Sequence, residues 1–292
     1  MTDPARRSAV VTGISSGIGR AIAEDLLARG YRVFGSVRRE NDAAELISQW
    51  PQTFTALLFD VNDEKAIAAA VGQVAAALGT QPLSALVNNA GMSIAGPLML
   101  QPMDEIRRIF EVNVFGVLLV TRAFLPLLGA RDGARGKPGR VVNIGSVAGA
   151  FTVPFMAAYS ASKHAIEAVS QGLRRELTIY GIEVATIEPS FVKSRLFGKT
   201  VSDTPGDRYD GTPYEASWRA FSAGLLKEED TAADPATVTR AVIDAIESVS
   251  PRTRYPLHAI WKIGRILPDR LFDKLIFKAT GTTPFLRRRP AQ

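Results

Sequence analysis

The sequence lacks cysteine altogether and contains only two histidines in 292 residues. The absence of cysteine excludes disulfides, thiolate metal ligands and cysteine nucleophiles. His164 and His258 stand alone in the sequence, so we predict neither a metal site nor a histidine-based triad. No uninterrupted apolar run reaches the roughly 18 residues of a transmembrane helix, and residues 1–7 lack the apolar stretch of a signal peptide. We therefore expect a cytoplasmic protein with no bound metal.

The net charge of +6 is concentrated in the last part of the chain. From residue 252 onward there are ten Lys/Arg and two Asp/Glu, whereas the preceding residues are close to neutral. A nucleic-acid-binding protein carries basic residues on a recognisable reading element, and none is found in this sequence. We expect no nucleic-acid partner; the alternative predicts salt-sensitive retention on DNA.

A strand, a glycine-rich turn and a helix follow one another at the start of the chain. The apolar run 7–12 precedes a GxxxGxG turn at 13–19, and a helical pattern of apolar residues comes next. Such a turn lets backbone N–H groups and a helix N-terminus face a pyrophosphate. The candidate phosphate-binding residues are Gly13, Ser15, Ser16, Gly17 and Ile18.

The second predicted strand, 31–37, ends in two arginines. An acidic residue at this strand end would bind a ribose 2′-hydroxyl, whereas arginine accommodates a 2′-phosphate. Val37 stands at the acidic position and Arg38 follows it, so the sequence predicts NADP(H). The alternative is that Arg38 and Arg39 only solvate the strand end.

Further strands alternate with helices, which indicates an α/β fold with a doubly wound, Rossmann-type parallel sheet and helices on both faces. The third strand is followed by Asp60 and Val61, and the fourth by the sequence Asn88 to Gly91. Ligands of such folds lie beyond the carboxyl ends of the strands. We therefore expect the segments around 13, 38, 60 and 88 to line one cofactor site.

Tyr159 and Lys163 are spaced to share one face of a helix. An ammonium beside a phenol favours the phenolate and lowers the pKa of the tyrosine, which would allow proton exchange with an alcohol or carbonyl. Ser146 lies thirteen residues before the tyrosine, and Asn113 lies inside a helical pattern in which asparagine is unfavourable. Taken alone, the Tyr159/Lys163 pair could equally be an ordinary exposed pair.

These motifs together resemble the short-chain dehydrogenase/reductase family over about residues 8–256. The resemblance implies that Tyr159 is the acid/base, that Ser146 orients the reacting oxygen, that Lys163 lowers the pKa of Tyr159 and binds the nicotinamide ribose, and that Asn113 anchors a water. It also implies that Asp60 and Val61 contact adenine and that 190–194 run beside the nicotinamide. The cofactor-binding set is completed by Asn88, Ala90, Gly91, Pro189, Val192 and Ser194, with Tyr159 and Lys163 again.

The chain departs from the family pattern after the sixth strand. The usual Pro-Gly is Pro189-Ser190 here, and serine has less backbone freedom than glycine. The pose of the nicotinamide amide is therefore less certain. Ser194 replaces the usual threonine and keeps the hydroxyl.

We expect one catalytic domain, 1–292, with a core at 8–190, a substrate lid at 191–234, a last helix and strand at 235–257 and a basic amphipathic tail at 258–292. Tyr214, Trp218, Phe221 and Leu225 have helical spacing in the lid and favour a hydrophobic substrate. Plain core packing or a dimer contact is the alternative for that face. The tail either packs on the enzyme, which we favour, or lies on a membrane surface.

The lid and tail resemble the hydroxysteroid/retinol dehydrogenase branch. This implies an NADP(H)-dependent oxidoreductase that interconverts an alcohol and a ketone or aldehyde, with a steroid-, retinoid- or fatty-carbonyl-like substrate. The family also pairs its subunits through the helices around Asn113 and Tyr159, so we expect a homodimer or homotetramer. The alternative function is a non-catalytic dinucleotide-binding regulator.

Overall fold

A seven-stranded parallel sheet forms the centre of the computed structural model, which describes residues 7–133, 136–192, 196, 200 and 207–280. The strand order is β3-β2-β1-β4-β5-β6-β7. The chain adds strands outward from β1 on one side and then outward from β4 on the other, as in doubly wound folds. The predicted fold class is therefore confirmed. The strands are β1 (Ser8–Val11), β2 (Arg32–Val37), β3 (Phe54–Leu58), β4 (Ala85–Asn88), β5 (Arg140–Ile144), β6 (Glu183–Glu188) and β7 (Arg254–Pro256).

Helices cover both faces of the sheet. One apolar core lies between the sheet, α1 and α8, and a second core lies between the sheet, α3, α5 and the end of α6. The described helices are α1 (Gly17–Ala28), α2 (Ala44–Gln49), α3 (Glu64–Leu78), α4 (Met103–Phe110), α5 (Gly116–Leu128), α6 (Ala157–Glu176), α7 (Glu215–Thr231), α8 (Ala236–Glu247), α9 (Ile260–Ile266) and α10 (Asp269–Thr280).

The central strands read as continuous apolar runs because they are covered on both sides. Every residue of β1, β4 and β5 is buried, as expected for parallel strands between two helix layers. Polar side chains therefore concentrate at the strand ends.

Helices α4 and α5 are joined by a π-helical turn, Glu111–Phe115, into one continuous helix. The combined helix Met103–Leu128 is long and apolar enough to cross a membrane by length and composition alone. However, Ile109, Val120 and Phe124 are completely buried in the cores, and α5 packs against α3 and β4. These contacts are those of a core helix.

Candidate active site

The glycine-rich turn at the end of β1 is open on the side that faces α1. Gly13 and Gly17 have φ of +70° and +60°, which favour glycine. A Cβ atom on Gly19 would lie 2.3 Å from both the Gly13 carbonyl oxygen and Nδ2 of Asn89, so only glycine allows this close packing. Ser16 is the N-cap of α1, but its side chain makes no capping hydrogen bond. The first N–H groups of α1 thus remain available to an anion.

The other two predicted residues of this turn have different environments. Ser15 is exposed, whereas Ile18 is partly buried against the core beneath the sheet. Ser15 can therefore reach a phosphate with its hydroxyl, and Ile18 can contribute only its backbone N–H.

The turn is braced by the segment that follows β4. Oγ1 of Thr12 accepts hydrogen bonds from the N–H groups of Asn89 and Ala90, both at 2.9 Å. Nδ2 of Asn89 donates to the carbonyls of Thr12 and Gly13 at 2.9 and 3.1 Å. These four bonds fix the carboxyl ends of β1 and β4 relative to each other.

Asn88, which the sequence predicts to bind cofactor, has its side chain inside the protein. Its Nδ2 donates to Oγ1 of Thr121 and to Oδ1 of Asn143, both at 2.8 Å. Successive residues of an extended chain point to opposite sides, so Asn89 rather than Asn88 faces the glycine turn. The prediction missed Asn89, although its place next to Asn88 was a usable signal.

The two arginines at the end of β2 differ in their contacts. Arg39 forms a two-point ion pair with Asp42, with distances of 3.0 and 3.1 Å. Arg38 is exposed and has no hydrogen bond or ion pair to the part of the chain that the structure describes. Val37 before it is buried. The guanidinium of Arg38 is therefore available for a 2′-phosphate.

The remaining cofactor candidates lie at neighbouring strand ends. Oδ1 of Asp60 accepts from the N–H of Asn62 at 3.0 Å, and Val61 is buried against Gly116, where an added Cβ would come within 2.7 Å of Cγ2 of Val61. Gly91 is exposed. A Cβ on Gly91 would lie 3.3 Å from Oδ1 of Asn113 and 4.0 Å from Nζ of Lys163, so this glycine borders the Tyr159 and Lys163 cluster; the adenine contacts of Asp60 and Val61 stay a prediction.

Asn113 lies in the π-helical turn and joins three parts of the site. Its Oδ1 accepts from the N–H of Met92 at 2.8 Å, and its Nδ2 donates to the Met92 carbonyl at 2.9 Å and to Oγ of Ser162 at 3.0 Å. Ser162 in turn donates to the carbonyl of Tyr159 at 2.6 Å. Asn113 therefore holds the loop after β4 against the helix of Tyr159; its role in anchoring a water stays a prediction.

Tyr159 is buried beside Ser146. Ser146 follows β5 as the N-cap of a short 3₁₀ turn, where its Oγ accepts from the N–H of Ala148 at 3.1 Å. Burial raises the pKa of Tyr159 to about 12, and the hydrogen bond with Ser146 opposes this rise. At neutral pH the phenol therefore keeps its proton.

Lys163 lies one helical turn beyond Tyr159, as predicted. Its Nζ donates to the carbonyl of Ile144 at 2.9 Å and lies 5.8 Å from the centroid of the Tyr159 ring. Burial lowers the pKa of Lys163 to about 8, and the charge of Glu167 opposes this decrease. For Tyr159 the rise in pKa caused by burial dominates, and a lowering of this pKa by Lys163 stays a prediction.

The segment after β6 closes the site from the other side. The carbonyl of Pro189 accepts from the N–H of Val147 at 2.9 Å, which ties this segment to the turn of Ser146. Val192 is buried and forms an isolated parallel bridge with Ala233. Ser194 lies outside the described residues.

An aromatic cluster packs around Tyr159. Phe155 lies 5.5 Å from Trp218 and 5.2 Å from Phe221 between ring centroids, and Tyr209 lies 5.0 Å from Trp218. Phe155 adopts a φ of +68°, a strained conformation for a non-glycine residue that surrounding contacts must hold in place. The sequence indicated Trp218 and Phe221 but missed Phe155 and Tyr209, since only the folded chain brings them together.

The donor set fits a dinucleotide with a 2′-phosphate. The glycine turn and the N-terminus of α1 would hold the pyrophosphate, Arg38 the 2′-phosphate, and Lys163 the ribose next to the nicotinamide. The nicotinamide supplies the hydride chemistry when bound. The protein supplies Tyr159 for the proton, Ser146 for the orientation of an oxygen and an apolar wall that limits access of water.

Comparison with known proteins agrees with this geometry. The family model described as short chain dehydrogenase matches residues 7–205. The chain is 41% identical over 276 residues to an NADPH-dependent 3-dehydrocapnine reductase of Ornithobacterium rhinotracheale, covering 93% of this chain and 96% of that protein. It is 35% identical over 256 residues to human retinol dehydrogenase 16, covering 84% and 78%.

A solved structure shows the same fold. A short-chain dehydrogenase from Streptomyces avermitilis superposes with a TM-score of 0.74 at 30% identity and covers 96% of both chains. Together with the turn at 13–19, the brace from Asn89 and the Ser146, Tyr159 and Lys163 cluster, these matches show that the chain is an oxidoreductase that belongs to the short-chain dehydrogenase family.

Proposed function

We propose that this oxidoreductase uses NADPH to reduce the carbonyl group of a lipophilic ketone. The observation that carries the proposal is the buried, protonated Tyr159 beside Ser146, with an aromatic wall around it. A phenol with a pKa of about 12 holds its proton at neutral pH, so it is suited to donate a proton to a carbonyl that accepts a hydride.

NADPH is favoured over NADH by the end of β2. Arg38 is exposed and unpaired in the described residues, whereas Arg39 is neutralised by Asp42. A free guanidinium binds phosphate with charge-assisted hydrogen bonds. The NADPH dependence of the relative from Ornithobacterium supports the same assignment.

The reaction adds two groups to the substrate carbonyl. Bound NADPH would supply the hydride for the carbonyl carbon, and Tyr159 would give its phenolic proton to the carbonyl oxygen to form the alcohol. Ser146 hydrogen-bonds that oxygen and the phenol, and the ammonium of Lys163 stabilises the phenolate left on Tyr159. A proton from solvent then restores Tyr159, so the overall reaction consumes one NADPH and one proton for each alcohol.

The lipophilic character of the substrate is inferred from the aromatic cluster. The cluster consists of Phe155, Trp218, Phe221 and Tyr209, which are all buried around Tyr159. Binding sites lined by apolar side chains with few polar groups bind apolar ligands. The relatives are a 3-dehydrocapnine reductase and a retinol dehydrogenase. We infer a carbonyl substrate of that lipophilic kind.

A cofactor-oxidation screen tests the proposal. Purified enzyme with NADPH is offered 3-dehydrocapnine, retinal, a steroid ketone and a small water-soluble ketone. We expect NADPH consumption with a lipophilic carbonyl compound and little with the small ketone. Tight NADPH binding without turnover on any carbonyl compound would instead favour a dinucleotide-binding regulator.

We also propose that the enzyme is a cytoplasmic protein whose C-terminal helix packs on the enzyme and makes a peripheral contact with a membrane surface. Helix α10 packs Phe272 against Phe151, with ring centroids 5.2 Å apart, while Leu271 and Leu275 on its adjacent face are each 49% exposed. Basic residues flank this face, as is typical of interfacial helices. Co-sedimentation with anionic vesicles at low salt should succeed and should weaken when both leucines are replaced by serine; no sedimentation in either case would reject the contact.

Self-association is a further proposal. Phe115, in the π-helical turn between α4 and α5, is 49% exposed, although an aromatic side chain on a core helix usually has a packing partner. We infer that this helix pairs with a second copy. Light scattering after size exclusion should give a mass of two or four chains, and a single-chain mass would contradict the inference.

A further inference from the structure

Two buried carboxylates lie directly behind Lys163. Glu167 is one helical turn further along α6, and Glu188 is the last residue of β6. The side chains of Glu167 and Glu188 are only 8% and 0% exposed. Carboxylates are rarely buried to this extent without compensating charges, so the pair needs a physical explanation.

Arg254 lies close to both carboxylates. Nε of Arg254 in β7 lies 2.9 Å from Oε2 of Glu167 and 3.6 Å from Oε1 of Glu188. The guanidinium of Arg254 is covered by the ring of Trp261, 6.0 Å away, and Arg265 lies over the same ring. Arg254 lies closer to Glu167 than to Glu188, so Glu188 is the carboxyl group whose charge is less well compensated and the one that holds a proton.

The proton belongs to Glu188. Burial, the charge of Glu167 and a hydrogen bond to Glu167 raise the pKa of Glu188 to about 9, and Arg254 and Arg265 only partly oppose this rise. Glu188 is thus a neutral acid at physiological pH. Glu167 is the ionised member of the pair, because it has the shorter contact with Arg254.

The position of Glu167 is fixed by the turn that carries Ser146. A Cβ on Gly145 would lie 3.2 Å from Oε1 of Glu167, and a Cβ on Gly149 would lie 3.1 Å from its Cγ. The carboxylate therefore fills the space beneath the two glycines of this turn. Side chains larger than glycine at these two positions would displace the carboxylate.

The groups that face Lys163 are few among the described residues. Tyr159 and Glu167 lie on its own helix, and the carbonyl of Ile144 reaches it from β5. Tyr159 is neutral, so Glu167 contributes the negative charge that favours the ammonium form of Lys163. Burial of this lysine acts in the opposite direction.

We propose that Glu167 is a positioning residue for the reduction: held by Arg254 and by the proton of Glu188, its carboxylate keeps Lys163 in the charged form that the reaction uses. This inference rests on the proposed reductase function. The ammonium of Lys163 supports the phenolate of Tyr159 and donates to the nicotinamide ribose, and both tasks end when Lys163 loses its proton.

The test compares Glu167→Gln with the wild-type enzyme across a pH series. The amide keeps the shape but removes the charge, so the alkaline decrease in kcat should move to lower pH by about one unit, as expected for loss of a nearby opposite charge. KM should change little. The matched control is Glu176→Gln, which lies on the same helix but is exposed, and its profile should coincide with that of the wild type.

A second readout separates this inference from the reductase proposal. The Kd for NADPH is measured by fluorescence over the same pH series, which requires no turnover. A shifted binding profile in an enzyme that reduces no carbonyl compound would reject the reductase function and keep the role of Glu167. If Glu167→Gln does not fold, Glu167→Asp replaces it in the test. Its carboxylate lies further from Lys163, so the alkaline decrease in kcat should move to lower pH by a smaller amount. Superimposable profiles in a folded variant would overturn the inference.

Discussion

Arg39 is held by Asp42 through two hydrogen bonds of 3.0 and 3.1 Å, and this pairing leaves Arg38 as the uncompensated cation at the end of β2. The two adjacent arginines therefore have different capacities to bind an anion. Because Arg39 is paired and Arg38 is not, only Arg38 is available to bind a 2′-phosphate.

Replacing Arg38 by aspartate should shift preference from NADPH toward NADH. Loss of a charge-assisted contact of about 1.5–3 kcal/mol lowers kcat/KM for NADPH by roughly one to two orders of magnitude, and the new carboxylate can accept from a ribose 2′-hydroxyl. Steady-state kinetics with both cofactors measure the change. Arg39→Gln is the control and should leave the preference unaltered; a ratio unchanged in Arg38→Asp would remove Arg38 from the cofactor site.

Replacing Tyr159 by phenylalanine should remove carbonyl reduction and preserve cofactor binding. Phenylalanine keeps the buried ring but has no proton to give, and positioned proton transfer contributes about 10²- to 10⁴-fold in rate. Turnover and the Kd for NADPH are measured on the same preparation. Tyr180→Phe, at a site where the side chain is 39% exposed, should behave as wild type, and substantial turnover in Tyr159→Phe would rule out its role as acid.

Replacing the neighbouring residues Asn88 and Asn89 separately by alanine should affect different properties of the enzyme. Asn89→Ala removes two hydrogen bonds to the glycine turn, so the KM for NADPH should rise while stability falls little. Asn88→Ala removes the donor to Oγ1 of Thr121 and to Oδ1 of Asn143, both buried, which costs about 1–3 kcal/mol of unfolding free energy. Chemical denaturation and cofactor kinetics distinguish the two; the reverse assignment would contradict the structure.

The sequence predicted the sheet, the glycine turn and the position of Tyr159 and Lys163 on one helix, because these depend on local patterns. Apolar runs mark buried parallel strands, and glycines mark the turn where backbone must approach a phosphate. It did not distinguish Asn88 from Asn89, since that choice depends on which way a strand end faces. Likewise, the positive φ of Phe155 arises from lid packing that no local pattern encodes.

The pKa values of the site residues were harder to predict from the sequence than the identity of those residues. The spacing of Tyr159 and Lys163 correctly placed them on one helix face, yet the pKa of the tyrosine is raised because burial disfavours its phenolate. Burial depends on α7 and on the loop of Phe155, which are distant in sequence. The Glu167 and Glu188 pair has the same origin, because β6 and α6 meet only in the folded chain.

Replacing Glu188 by glutamine should stabilise the protein at high pH. The pKa of Glu188 in the folded state, about 9, lies above its ordinary value of 4.5. The favourable contribution of Glu188 to the free energy of unfolding is therefore complete below pH 4.5 and is lost as pH rises through about 9. Glutamine cannot ionise, so the Tm of the variant should exceed that of the wild type by roughly 4 °C or more near pH 9.

The comparison uses the difference between variant and wild type at each pH. The lowered pKa of Lys163 has an opposite effect on stability above pH 8, but it is common to both proteins and cancels in the difference. Thermal melts at pH 5 and pH 9 are sufficient. An equal Tm difference at the two pH values would show that Glu188 is ionised throughout.

Replacing Trp218 by leucine should weaken binding of lipophilic carbonyl compounds more than that of small ketones. The indole is 1% exposed and contacts both Phe155 and Tyr209, so a smaller side chain loosens the aromatic cluster that we propose borders the substrate. Loss of about 1.5–3 kcal/mol of apolar contact should raise KM for a long-chain ketone by roughly ten- to a hundredfold. The KM for a short ketone that does not reach this wall should change little. Trp50→Leu, at the opposite end of the sheet before β3, controls for the general cost of losing a tryptophan, and equal effects of the two variants on KM would place the substrate elsewhere.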